Sequence, residues 1–253
     1  MALFQSGNPT LAEKVFNNAS VTNQTGTMTV RGTMNKFGFM LLMVIGAASY
    51  TWHLHSELKQ DTVNVLMMIG IFGGLISAFA IIFKPNWAPY IAPAYGLLEG
   101  LFLGGISAAI NEAFADTYPN IILNAVGLTF GVALAMFALF NFRIIKATER
   151  FKSIIYTATM GIAIFYLITM VVRLFGVNLA FMHDSSPLGI GISLFVVAIA
   201  SLNLIMDFDM IEKGAENGAP KYMEWYGAFG LMVTLVWLYL EILKLLMRLA
   251  NRD

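Results

Sequence analysis

The sequence predicts an all-α membrane protein with seven transmembrane helices. Three observations carry that prediction. Of 253 residues, 58% are hydrophobic and only 12% are charged, about half the charged share of an ordinary soluble domain. Seven stretches are apolar for about the 20 residues a bilayer crossing needs. The breaks between them are polar or hold helix breakers. Together these leave no room for a soluble domain.

The spans fall at 36–54, 63–83, 88–110, 121–141, 153–176, 189–210 and 226–248. His53 to Asp61 is a polar turn, and Lys84-Pro85-Asn86 stops the second span. Asn111 to Asn120 holds Glu112, Asp116 and Pro119. Arg143 to Lys152 reads as a basic loop, Asn178 to Pro187 as a polar one, and Gly214 to Lys221 as a turn. Residues 1–30 form a polar tail without the apolar core of a signal peptide, so the transmembrane segments themselves drive insertion. The seven-helix domain runs from 31 to 253.

With the N-terminus in the cytoplasm, the inner side carries ten Lys and Arg, including Lys14, Lys36, Lys84, Arg143 and Lys152. The outer side carries five, so the positive-inside rule favours that orientation. The expected location is the inner membrane. Zero net charge argues against nucleic acid as a partner. The lack of cysteine excludes thiolate catalysis and cysteine-based metal sites.

Small residues mark two helix faces. Gly70, Gly73, Gly74 and Ser77 share one face of the second span. Gly96, Gly100 and Gly104 make two overlapping GxxxG steps in the third. In lipid such faces let backbones approach closely, and plain helix packing is their first explanation. Trp237 stands apart from the other tryptophans in lying mid-span.

Acids inside the spans are the candidates for function. A carboxylate at bilayer depth costs roughly 2.5–3.5 kcal/mol on insertion scales, so it faces the protein interior and finds a partner. Glu99 lies in span three, Asp207 and Asp209 near the end of span six, and Glu241 in span seven. Asp207 and Asp209, at i and i+2, point to different helix faces, so at most one is expected to face the core; Asp207, the deeper, is preferred. Glu241, Lys244 and Arg248 form a mixed-charge stripe that should meet other helices rather than lipid. Lys84 is the candidate counter-ion for Asp207. His53, His55 and Glu57 read as a solvated loop.

Three segments resemble the Bax inhibitor-1, or transmembrane Bax inhibitor motif, family in a bacterial form. Glu99-Gly100-Leu101-Phe102-Leu103-Gly104-Gly105-Ile106 is like its Gly-x-x-Leu-Gly stretch. Met206-Asp207-Phe208-Asp209-Met210-Ile211 is like its Tyr-Asp-x-x-x-Ile element, and Leu238-Tyr239-Leu240-Glu241 like its Leu-Tyr-Leu-Asp element. The resemblance implies a Bax inhibitor-1-like bundle and a pH-sensitive calcium leak, with Asp207 and Glu241 as the sensor and candidate calcium ligands. It implies no enzyme activity and no resident cofactor, with calcium ions, protons and the bilayer as partners. The second acid is Glu rather than Asp. The 34-residue separation reads as a loop insertion around Glu212 to Tyr226. The two acids can meet and share a proton only if much of 214–226 is loop, since ~20 helical residues climb about 30 Å.

Two other readings fit the acids: a proton-coupled cation or solute carrier, and a regulatory membrane protein that acts by binding partners. An intramembrane aspartyl protease lacks its Gly-x-Gly-Asp element here, and no His-Glu-x-x-His supports a metalloprotease.

Overall fold

A computed structural model describes residues 26–175 and 186–251. It contains seven helices long and apolar enough to cross a membrane. They are α1 (Val30–Ser56), α2 (Gln60–Phe83), α3 (Ala88–Ala113), α4 (Ile121–Asn141), α5 (Glu149–Leu174), α6 (Pro187–Glu216) and α7 (Met223–Ala250). A 3-10 turn, Pro85–Trp87, joins α2 to α3. All seven expected spans are present as helices, each within a few residues of its expected limits.

The ends differ in instructive ways. The turn expected from His53 shrinks to 57–59, because α1 continues to Ser56 and α2 begins at Gln60. His55 therefore sits in the last turn of α1, where its Nε2 lies 2.9 Å from Glu112 Oε2. The expected basic loop ends early. Thr148 caps α5, its side chain accepting from the Phe151 amide, which satisfies one of the orphan N–H groups of a helix start. Lys152 is thus a helix residue rather than a loop charge.

The expected insertion around Glu212 to Tyr226 is mostly helix. α6 runs on to Glu216 and α7 begins at Met223. Gly218 ends α6 at φ +69, with Ala219 N bonded to Gly214 O and Gly218 N to Ala215 O. This is the Schellman arrangement, in which glycine takes the left-handed position at no steric cost. Only 217–222 remain as the link.

The described residues divide into two compact units. One comprises 114–175, 186–209 and 234–251; the other comprises 26–113 and 210–233. In the second, glycines set the helix contacts. A Cβ on Gly100 would lie 2.4 Å from Val44 O, one on Gly104 2.3 Å from Ala48 O, and one on Gly70 2.6 Å from Leu98 O. The GxxxG face of α3 therefore meets α1, and the small face of α2 meets α3. Backbone lies against backbone, as close lipid-phase packing requires.

In the first unit the core is side-chain packing. Ile155 and Ile162 of α5 pack with Val196, Ile199 and Met206 of α6, and Trp237 of α7 covers them. That contact accounts for the tryptophan away from the interfaces. α7 is the most enclosed helix, with 72% of its best 18-residue window buried, against 17% for α2, α4 and α5. Most residues of α7 therefore meet protein, whereas each of those three helices turns only a narrow face to it.

Candidate functional site: a polar file along α5

The acids expected at membrane depth are buried. Asp207 is 0% exposed, Asp209 8% and Glu241 2%. The expectation that only one of Asp207 and Asp209 could face the core does not hold. Asn203 through Ile211 are all buried, whichever face they occupy. Where a helix is enclosed on every side, facing no longer separates i from i+2.

Lys152, Thr159 and Tyr166 stand at i, i+7 and i+14 on α5, so they share one face. Each meets a polar side chain from α6 or α7. Lys152 Nζ lies 3.0 Å from Asp209 Oδ2. Thr159 Oγ1 accepts from Asn203 Nδ2 at 2.9 Å. The Tyr166 hydroxyl lies 3.0 Å from both Glu241 oxygens. The three rungs span about 21 Å of helix rise, most of a hydrocarbon core. Apolar core residues flank them.

Glu241 has a second partner. Lys244 Nζ donates to its Oε1 at 2.8 Å and lies 4.8 Å from the Tyr166 ring centroid. Arg248 donates to Gly189 O on α6. The stripe of Glu241, Lys244 and Arg248 thus meets neighbouring helices as expected.

The geometry separates Asp207 from Glu241. Asp207 is nine residues before the end of α6, and Glu241 is 18 residues after the start of α7. Measured from their short link, the two rise about 14 and about 27 Å. Two side chains do not close a gap of about 13 Å. The acids lie at separate levels, so the contact that a shared proton would need is not formed. The physical reason is the length of helix on either side of Gly218, in a segment the sequence predicts to be loop.

The remaining expected residues lie in the other unit. Glu99 is half-buried on α3, its Oε2 3.1 Å from where a Cβ on Gly74 would stand. Gly74 thus leaves space for a carboxylate. Lys84 ends α2, and its ammonium lies 4.3 Å from the Trp87 ring centroid, a cation–π distance.

Two groups escaped the sequence reading. Lys152, expected in a loop, is 1% exposed. Its heptad spacing to Thr159 and Tyr166 was the available signal. Glu224 fell inside the supposed insertion, yet it is fully buried at the start of α7. Its carboxylate accepts from the Thr29 amide at 3.0 Å, the Thr29 hydroxyl at 2.8 Å and Lys221 Nζ at 2.7 Å, and pairs with Lys36. A Cβ on Gly32 would stand 2.1 Å from its Oε1, so Gly32 makes room for this carboxylate. The signal was Lys221-Tyr222-Met223-Glu224, an i, i+3 pair just before an apolar run.

Among the described residues, no three acidic or histidine side chains gather as a metal cage would require.

A family model described as Bax inhibitor 1 like matches residues 8–251. No curated protein and no solved structure matches the chain.

Proposed function

Because the chain belongs to the Bax inhibitor 1 like family, we propose that this multi-pass membrane protein is a pH-sensitive calcium leak channel rather than an enzyme. Its sensing acids are Asp207, Asp209 and Glu241. The single observation that carries the reading is the burial of all three acids on helices otherwise fit for lipid. Carboxylates kept at that depth mark ion or proton paths.

On this reading calcium is cargo and not a resident cofactor. Asp209 is held by Lys152, and Glu241 by Lys244 and Tyr166. Protonation weakens what each acid can offer a passing cation. Deprotonation supplies hard oxygen ligands at two levels of the file. A leak needs binding weak enough to release the ion, and sparse oxygens with retained water suit that need. Glu99 adds a carboxylate in the other unit, and Lys84 a cation at the end of α2. The membrane is the inner membrane, with the N-terminus cytoplasmic and other membrane proteins as possible regulators.

The test is calcium flux in proteoliposomes across a pH series. Flux should rise with pH, and Asp207→Asn and Glu241→Gln should each flatten that rise. Equal flux and equal pH response in both variants would remove the reading. Proton counter-flow coupled to calcium entry would instead identify an exchanger.

A further inference from the structure

The middle rung of the file contains an oxygen with no hydrogen-bond partner among the described residues. Asn203 is 1% exposed. Its Nδ2 donates to Thr159 Oγ1 at 2.9 Å and to Ile199 O at 2.8 Å. A backbone carbonyl can only accept, so the amide nitrogen must face Ile199 and the orientation of the amide is fixed. That leaves Oδ1 as the remaining acceptor, and among the described residues it has no hydrogen-bond partner. A buried polar atom left without a partner is costly and is uncommon in native proteins.

An acceptor oxygen can be satisfied only by a donor or a cation. The Asn203 amide hydrogens are both spent, on Thr159 Oγ1 and Ile199 O. Asp207 lies four residues on, one turn along the same face of α6 and about 6 Å away between Cβ atoms. A neutral amide oxygen and a carboxylate at that spacing are the kinds of oxygen that bind hard divalent cations.

We propose that Asn203 Oδ1 and the Asp207 carboxylate form a binding position for a partly hydrated divalent cation, one turn long, at the middle of the file. The position rests on the leak reading above and extends it, since it names a neutral ligand between the two acid levels. Asn203 acts as a ligand, and Thr159 acts as a positioning residue that holds the amide so its oxygen stays available.

Equilibrium binding of radioactive Ca²⁺ to the purified full-length protein in detergent tests the position without requiring transport. Asn203→Leu removes the oxygen at similar volume and should weaken binding about tenfold, while Asn203→Asp adds charge to it and should tighten binding about tenfold. The Asp variant keeps the experiment decisive if the Leu variant fails to fold. Wild-type protein with no saturable binding up to millimolar calcium overturns the proposal, as does an unchanged dissociation constant in Asn203→Asp. The two readings fail separately. Binding that follows residue 203 without any flux in liposomes removes the leak and keeps the position. Flux with residue 203 variants binding as wild type removes the position and keeps the leak.

Discussion

The two units handle polar groups and packing in opposite ways. In the unit holding α5, interior polar groups are spread along the helix, one paired rung every two turns. In the unit holding α1 to α3, the interior is spent on glycine contacts, and the fully buried charge sits at the start of α7, in Glu224. The difference teaches where each unit can tolerate change. A backbone pressed against a backbone has no rotamer to yield, whereas a side-chain rung can lose one member and relax.

The sharpest way to break this comparison is at glycine. Gly104→Leu should cost about 3 kcal/mol or more, because its Cβ would meet Ala48 backbone. Gly127→Ala on α4 has nothing within 4 Å of its Cβ and should be neutral or gain about 0.5 kcal/mol from helix propensity. Thermal unfolding in detergent compares them, and equal losses would erase the contrast between the units.

Next in size is Lys152→Met, which leaves Asp209 without its ammonium. The loss should be about 3 kcal/mol, as for other buried pairs broken on one side. Adding Asp209→Asn should restore most of it, with a coupling of about 1–3 kcal/mol in the double-mutant cycle. Additive losses would show that the rung is no unit.

Glu224→Gln should cost about 2 kcal/mol. It leaves Lys36 and Lys221 facing each other, but both ammonium groups reach water and are partly screened. Denaturation at low and high salt measures this, with the smaller loss expected at high salt.

The smallest effect is Tyr166→Phe, which removes one hydrogen bond to Glu241 at about 1 kcal/mol. If the third rung belongs to the sensor, the pH midpoint of calcium flux should shift while the protein stays folded. An unmoved midpoint would confine Tyr166 to packing.

Much of this was legible in the residues themselves. Composition and span length gave seven helices, since a bilayer admits few other solutions for a chain this apolar. The glycine spacings predicted close contacts, and Glu241, Lys244 and Arg248 predicted a stripe that meets protein. The misreadings share one cause. Lys152, Glu224 and the segment from Glu212 to Glu216 are polar residues in helix ends, and a hydropathy reading assigns polar residues to loops. Their burial comes from neighbours distant in sequence: Asp209 for Lys152, and Thr29 and Lys36 for Glu224.

The sequence by itself therefore determined the helix count, the membrane setting and the identity of the costly acids, because transfer to lipid depends on composition within one span. Only the tertiary structure decided which cation meets which acid and at what level. It moved Asp207 and Glu241 apart by ending α6 at Gly218, and it aligned Lys152, Thr159 and Tyr166 with Asp209, Asn203 and Glu241. Pairing across helices depends on rotation and register between segments far apart in the chain, and no local pattern encodes those.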